Sequence, residues 1–166
     1  MPSRIRVVRT SSGIRNAFTR MPFRFGVITM RASPVLTLAV EVEDEAGRRA
    51  TGYAADFLAF RWFDKRPEKS LADNCADLVR TVEVATGLYL DAAREGPKAP
   101  FALFLDTYPE IDRTARAEDF NRLGASFGSS MLERGVIDAV GRLLKKSFYE
   151  LVRDDALGIE LGAISP

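Results

Sequence analysis

The chain has 166 residues, 46% of them hydrophobic, which suits one globular domain with a core of its own. No stretch reaches the roughly eighteen uninterrupted apolar residues of a membrane span, so we expect no membrane association and a cytoplasmic location. Cys75 is the single cysteine, which excludes a disulfide within the chain, and its apolar helical position predicts a small buried residue.

The formal net charge of +1 is unevenly distributed. Residues 1–40 contain seven arginines and no acid, so the remainder carries a formal charge of −6. This segment could bind an anionic small substrate or a nucleic-acid backbone, act as a transit peptide, or form an edge strand with solvated arginines. The absence of lysine and of a binding motif argues against nucleic acid. Two segments that look like strands, "RIRVV" and "PFRFGVITM", argue against a transit peptide. The seven arginines are Arg4, Arg6, Arg9, Arg15, Arg20, Arg24 and Arg31.

The first half of the chain reads as strands. "RIRVVR" (4–9) predicts a short half-exposed strand, whereas residues 10–22 have no period and predict a mobile loop. Residues 34–56 predict an antiparallel hairpin, because apolar and polar residues alternate before the turn "EDEAGR". The acidic run at residues 41–45 lacks ligand-like spacing, and we interpret it as a solvated strand end rather than a metal site.

The second half reads as helices. An aromatic-rich loop (57–67) precedes a helical pattern capped by Ser70, and "FALFLDTYP" (101–109) could be helix or strand. A helical run is expected from about residue 117, Ser130 and Glu133 form a capping-box pattern that predicts a helix start, and "KKSFYELVRDD" predicts a last short helix. The order predicts an α+β fold: an N-terminal antiparallel β-meander of about three strands followed by a helical bundle.

No convincing catalytic set is present in the sequence. The pattern Gly-x-Ser-x-Gly occurs at residues 124–128, but a serine nucleophile needs a base, and the chain has no histidine. We therefore interpret the two glycines as allowing a turn into the following helix, and we assign Ser126 no catalytic role. The missing imidazole also removes the usual zinc ligand, so we predict no metal site or cofactor in this chain.

Three segments resemble the N-terminal capping domain of the enolase superfamily, in particular its mandelate racemase and muconate-lactonizing group. They are "MPFRFGVITMRASPVLTLAVEVEDEAGRRATGYAAD" (21–56), "WFDKRPEKS" (62–70) and "ASFGSSMLERGVIDAVGRLL" (125–144). The last one is similar to the family's "E-[RA]-A-x-x-D-A" helix. Gly135 departs from that pattern, where alanine is usual, and we expect only a slight loss of helix propensity from it.

The resemblance implies an enolase N-terminal-domain-like fold over residues 1–155, with residues 156–166 leading to a (β/α) barrel that we expect to be missing or on a separate chain. In the complete family member, a Mg²⁺-dependent lyase or isomerase, barrel residues remove the proton α to a carboxylate. The resemblance assigns a lid role to loops near residues 11–25 and 57–66, with Arg20 and Arg24 pairing with a substrate carboxylate and Phe60 and Trp62 as walls. Trp62 could equally be a core anchor.

Three functional hypotheses follow from the sequence. The first is a capping domain that is inert alone, acts on an anionic carboxylate substrate only with its barrel, and self-associates through its uncovered apolar surface. The alternative is a non-catalytic α+β binding module whose arginine-rich N-terminal face, with Arg4, Arg6 and Arg9, binds an anionic partner. A serine hydrolase using Ser126 is the third. Substrate identity, reaction type, oligomeric state and whether the chain is a fragment stay open.

Overall fold

In the computed structural model, residues 2–26, 28–59 and 61–164 are described. Three strands come first: β1 (Ile5–Phe25), β2 (Ile28–Asp44) and β3 (Arg49–Phe57). They form one antiparallel sheet in the order β1-β2-β3. The helices follow: α1 (Leu71–Ala92), α2 (Pro100–Ala117), α3 (Arg122–Leu144) and α4 (Phe148–Arg153). The predicted α+β class, with a three-stranded meander before a helical bundle, is confirmed.

The β2–β3 hairpin forms as its alternating sequence predicts. Leu36, Leu38, Val40 and Val42 all lie on the face of β2 that the helices cover, and none is more than 1% exposed. At the turn, the Asp44 carboxylate accepts hydrogen bonds from the backbone N–H groups of Ala46 and Arg48, at 3.0 and 2.9 Å. One sheet face is therefore buried, as in most antiparallel sheets that carry helices on one side.

The prediction of a loop over residues 10–22 is wrong, because β1 continues through this segment. Pairing of β3 with β2 ends at Val35–Phe57, so residues 16–25 and 28–34 pair only with each other, with a register shift between Phe18 and Phe23. We call this two-stranded extension the outer ribbon. Most of its β1 residues are exposed, so it lacks the apolar alternation by which a half-buried strand is recognised.

A β-bulge near the start of β1 determines which way its arginines point. Val7 pairs with Val42 and Arg9 pairs with Glu41, so Val8 is an extra residue on β1. Before the bulge Ile5 and Val7 are buried, and after it the odd-numbered residues lie on the opposite, open face. The extra residue thereby keeps Arg9 on the same side as Arg6, away from the helices.

Helix α3 is the centre of the helical layer and begins earlier than predicted. Asn121 is its N-cap, and the Asn121 side-chain oxygen accepts from the Gly124 N–H at 2.8 Å. Ser130 and Glu133 lie in the middle of α3, so the capping box predicted there is wrong. The capping residue predicted for α1 is confirmed, because Ser70 and Asp73 cap each other reciprocally.

Two glycines, Gly128 in α3 and Gly52 in β3, let backbones approach closely. A Cβ atom at Gly128 would lie 2.0 Å from the Thr81 carbonyl oxygen of α1. A Cβ at Gly52 of β3 would lie 2.2 Å from both the Gly135 carbonyl oxygen and the Ala139 nitrogen of α3. Gly52 is thus required where α3 crosses the sheet. Gly135, expected to cost only helix propensity, also lies close to the sheet, because a Cβ there would be 2.6 Å from a Val40 methyl group, and Gly128 is part of a helix contact rather than of a turn.

The remaining helices complete the bundle. "FALFLDTYP" is helical, as part of α2, and Leu103 within it is buried. The predicted last helix is α4, which Ser147 and Glu150 cap. Cys75 is half-buried rather than buried: its thiol donates to the Leu58 carbonyl oxygen at 3.5 Å, and burial raises the pKa of that thiol.

Candidate functional site: the tip of the outer ribbon

The loop between β3 and α1, residues 58–69, is held firmly at its base. We call it the aromatic loop. The Arg61 backbone N–H donates to the side-chain oxygen of Asn74 on α1 at 2.8 Å, and Asn74 is 4% exposed. The side-chain amide of Asn121 donates to the Phe63 carbonyl oxygen at 2.7 Å, and the Phe63 ring packs edge-on against Phe127. The N-terminal ends of α1 and α3 therefore both hold this loop.

A buried carboxylate stabilises the second half of the aromatic loop. Asp64 accepts hydrogen bonds from the Arg66 guanidinium, at 2.7 to 3.1 Å, and from the Arg66 backbone N–H at 3.0 Å. Lys69 lies 3.6 Å from Asp64 and also pairs with Asp77 of α1. The Arg66 hydrogen bonds lower the pKa of Asp64 to about 2, so the carboxylate is charged over the ordinary pH range.

The fixed loop presents side chains to the tip of the outer ribbon, where the two form a pocket. The Trp62 indole meets the Phe25 ring edge-on, with the ring centres 5.8 Å apart. The centre of the Phe23 ring lies 5.7 Å from that of Phe25. The tip pocket has a volume of about 340 Å³ and is lined by Phe25, Gly26, Ile28, Arg61, Trp62 and Lys65. Two of these residues are cations and none is acidic.

Two features of the tip pocket favour an anionic ligand with a flat apolar part. Arg61 and Lys65 form no ion pair with any residue that the structure describes, so their charge is available to a ligand. Trp62 is 57% exposed and offers an indole surface beside them. Arg61 has a left-handed backbone, with φ of 56°, which the hydrogen bond to Asn74 holds in place.

The four predicted lid residues differ in where they lie relative to the tip pocket. Trp62 lies in the tip pocket, and its exposure excludes the core-anchor role, which belongs to its neighbour Phe63. Arg24 lies at the ribbon tip, where its guanidinium contacts the Thr29 hydroxyl at 3.5 Å, but it does not line the pocket. Arg20 is exposed on the ribbon, also outside the pocket lining. Phe60 lies outside the described residues. Roles in substrate binding stay predictions for all four.

Phe25, Arg61 and Lys65 are pocket residues that sequence reasoning missed. The text "FRWFDKR" does place cations between aromatic residues, which was the available signal. Nothing in the sequence indicates that Phe25, 37 positions before Trp62, comes to the indole. That contact depends on the length of the outer ribbon.

The first three arginines form a ladder with the acidic run, which is an arrangement the sequence analysis did not anticipate. Arg4 pairs with Glu45 at 3.1 Å, Arg9 pairs with Glu41 at 3.1 Å, and Arg6 pairs with Glu43. Arg49 of β3 binds the other Glu43 oxygen at 2.7 Å, and hydrogen bonds from Arg6 and Arg49 lower the pKa of Glu43. The acidic side chains of β2 therefore form ion pairs with arginines. These pairs largely neutralise the positive charge of Arg4, Arg6 and Arg9, the face proposed for an anionic partner.

No site for nucleophilic or metal chemistry is found in the described parts of the chain. The Ser126 hydroxyl donates to the Arg122 carbonyl oxygen, at 3.1 Å, and lies 3.1 Å from the Tyr108 hydroxyl, which is no base. Within residues 2–26, 28–59 and 61–164, no three metal-ligating side chains cluster. In the same residues, no helix is both long and apolar enough to cross a membrane.

Comparison with known proteins identifies similar folds. No protein-family profile and no curated protein sequence matches the chain. Among solved structures, an enolase from Bradyrhizobium, complexed with magnesium and mandelic acid, matches 92% of this chain with a TM-score of 0.58 and 19% identity. A mandelate racemase/muconate lactonizing protein from Herpetosiphon aurantiacus matches 86% of it with a TM-score of 0.46 and 16% identity.

The chain spans 36% of the first of these proteins and 32% of the second. At 19% identity the first likeness concerns the fold. It confirms the expected enolase N-terminal-domain-like fold of a three-stranded sheet followed by helices, and with it the predicted structural resemblance to the enolase superfamily.

Proposed function

We propose that the chain is a substrate-capping domain of an enolase-superfamily protein and that the tip pocket is its contribution to ligand binding. The observation that carries the proposal is the convergence of the ribbon tip and the aromatic loop around two cations and an exposed indole. The fold likeness supports an aromatic carboxylate as the kind of ligand, because the matched Bradyrhizobium protein is complexed with mandelic acid.

The residues that the structure describes can bind and orient a ligand, and we assign no reaction centre to them. Arg61 and Lys65 would pair with a carboxylate, and Trp62 and Phe25 would exclude water from one side of the ligand. Magnesium is implied by the family, but the acidic run on β2 does not fit it, since Glu41, Glu43 and Glu45 are already engaged by arginines. A metal, a base and the lyase or isomerase chemistry would belong to a barrel beyond the 1–155 capping domain.

A complementation experiment tests this proposal. The 166-residue chain would be mixed with, or fused to, the barrel portion of the matched Bradyrhizobium protein, and magnesium-dependent conversion of mandelate would be followed by circular dichroism. We expect no turnover from the chain alone and turnover from the combination. An Arg61→Ala/Lys65→Ala variant should raise KM more than it lowers kcat, because it removes binding groups.

Matched controls separate the pocket from general charge effects. Arg15→Ala/Arg31→Ala removes two exposed cations of the β1–β2 hairpin that do not line the tip pocket, and it should leave KM unchanged. Turnover by the 166 residues alone would refute the assignment of the chemistry to a barrel. An unchanged KM in the Arg61→Ala/Lys65→Ala variant would refute the pocket's role in binding. The arginine-face alternative is disfavoured by the ion-pair ladder, and it would require salt-sensitive polyanion binding that depends on Arg4, Arg6 and Arg9.

Self-association is a further part of the proposal. The outer ribbon exposes large apolar side chains, with Phe18 81% and Met21 68% exposed. The apolar "FALFL" segment, in contrast, contributes to the core through Leu103. Such a surface favours association between copies or with a barrel. Sedimentation velocity over a hundredfold concentration range should give a rising average mass, and Phe18→Ser/Met21→Ser should restore a monomer. A cytoplasmic location stays a prediction.

A further inference from the structure

A second cavity lies inside the helical layer and shares no lining residue with the tip pocket. Its volume is about 180 Å³, and its walls come from α1, α2, α3, α4 and the segment after α4. Most wall residues are apolar, among them Phe101, Val136, Ile137, Phe148 and Leu157. A cavity of about 150 Å³ with such a lining can hold a benzene-sized molecule, so this one has room for a small organic ligand.

Glu133 is the acidic residue in the wall of this cavity, which we call the Glu133 pocket. It is partly buried, and among the described residues it has neither a cation within 4.0 Å nor a hydrogen-bond partner. The adjacent cation does not neutralise it, because the Arg134 guanidinium binds Asp56 at 2.9 Å. Burial raises the pKa of Glu133, as expected for a carboxyl group partly removed from water without compensation.

Tyr89 contributes an aromatic wall to the same pocket. Its hydroxyl is buried with almost no accessible surface, next to the Thr107 and Ser129 side chains, so it is out of reach of a ligand in the cavity. Burial raises the pKa of Tyr89, which keeps the phenol neutral. Among the described wall residues, Glu133 is therefore the group that a hydrogen-bond donor in the cavity would satisfy.

We propose that the Glu133 pocket binds a small organic ammonium ion: a primary amine on a compact apolar body about the size of a benzene ring. The ammonium group supplies the missing counter-charge of Glu133 and donates a charge-assisted hydrogen bond to its carboxylate. The apolar body fills the cavity beside Phe101 and Val136. The interaction is independent of the tip pocket and of any barrel.

The probe is benzylamine, with benzyl alcohol as its uncharged counterpart. Binding to the 166-residue chain at pH 7.5 would be followed by amide chemical shifts in a two-dimensional NMR titration. We expect benzylamine to bind at least about tenfold more tightly than benzyl alcohol, because hydrogen bonds to charged groups are the stronger ones. The shifted signals should come from α3 and from the segment after α4.

Two variants test the assignment to Glu133. Glu133→Gln keeps the shape of the side chain, and it should bring benzylamine down to the affinity of benzyl alcohol. Glu83→Gln, at an exposed position of α1, should leave the preference for the amine intact. Ile159→Trp enlarges a partly exposed wall residue and should weaken both probes together.

Three affinity results would overturn the proposal. They are no benzylamine binding at millimolar concentration, equal affinities for the amine and the alcohol, and an amine preference that survives in Glu133→Gln. Shifts confined to other surfaces would also overturn it, because the amine would then be binding elsewhere. Failure of the complementation experiment with the barrel bears only on the tip pocket and leaves this result unaffected.

Discussion

Replacing Gly128 by alanine should destabilise the protein although alanine is the better helix former. The added methyl carbon would lie 2.0 Å from the Thr81 carbonyl oxygen and 2.8 Å from the Val82 nitrogen, where ordinary contact begins at 3.4 Å. Since the opposing atoms are backbone, no rotamer change can relieve the overlap. Helices α1 and α3 must separate by about 1.4 Å at this point, which loosens the core around Val82 and Phe127.

The magnitude follows from two opposing effects. Overpacking against backbone costs about 3 kcal/mol, and gaining alanine in a helix returns about 1 kcal/mol, so the net loss is about 2 kcal/mol or more. For a chain of this size, that lowers the melting temperature by about 4–8 °C. Urea unfolding followed by circular dichroism would measure the loss as a lower midpoint with an unchanged slope.

Gly87 of α1 is the matched control. It is also a helical glycine, but a Cβ there would meet no atom within 4 Å. Gly87→Ala should therefore stabilise the protein by up to about 1 kcal/mol. If Gly128→Ala were as stable as the wild type, or if both changes had the same sign, the close backbone contact between α1 and α3 would be wrong.

Three further predictions concern the sheet contact and the aromatic loop. A Cβ at Gly135 would lie 2.6 Å from a Val40 methyl group, so Gly135→Ala and Val40→Ala should each lower the unfolding free energy by about 1–3 kcal/mol. The double variant should lose less than the sum of the two, because the shorter side chain at residue 40 makes room for the new methyl group. Strictly additive losses would contradict the contact. The lowered pKa of Asp64 gives stability that is complete above about pH 4 and lost as the pH falls towards 2. Asp64→Asn should therefore cost about 1–2 kcal/mol at pH 6 and little at pH 2, and a cost independent of pH would contradict this. Trp62→Ala should change the unfolding free energy by less than about 1 kcal/mol and Phe63→Ala by about 2 kcal/mol, and the reverse order would make Trp62 the anchor.

The sequence was a good guide where one face of an element is buried. The alternation from Leu36 to Val42 predicted β2 correctly, because each apolar side chain there faces the helices. The pattern starting at Ser70 predicted α1 for the same reason, and the capping serine was correct. The β1 strand of the outer ribbon was missed over residues 10–22, because most of its residues there are exposed on both faces and burial does not select an alternating pattern.

Two local motifs led to wrong predictions, because the residues that match them have other roles in the structure. Ser130 and Glu133 match a capping box, but Asn121 caps α3 nine residues earlier, and Glu133 lines a cavity instead. Gly-x-Ser-x-Gly matches a nucleophile motif, yet Gly128 is there to let two helix backbones touch. The tip pocket was half foreseen through Trp62. Its partner Phe25 depends on strand pairing over a distance that no local pattern encodes.

The two-stranded form of the outer ribbon limits how this protein can change in length, whereas the bulge at Val8 is a position where a single residue can be lost. A residue inserted into or lost from one ribbon strand would turn the following side chains over, which would misplace Phe25 with respect to Trp62. Removing Val8 itself would turn the bulge into regular pairing, with Val7 still opposite Val42 and Arg9 still opposite Glu41, so the ion pair should survive that deletion. Matched insertions of two residues in both strands would preserve every face and extend the ribbon by about 7 Å. Related proteins that need a longer or shorter reach should therefore differ here in steps of two.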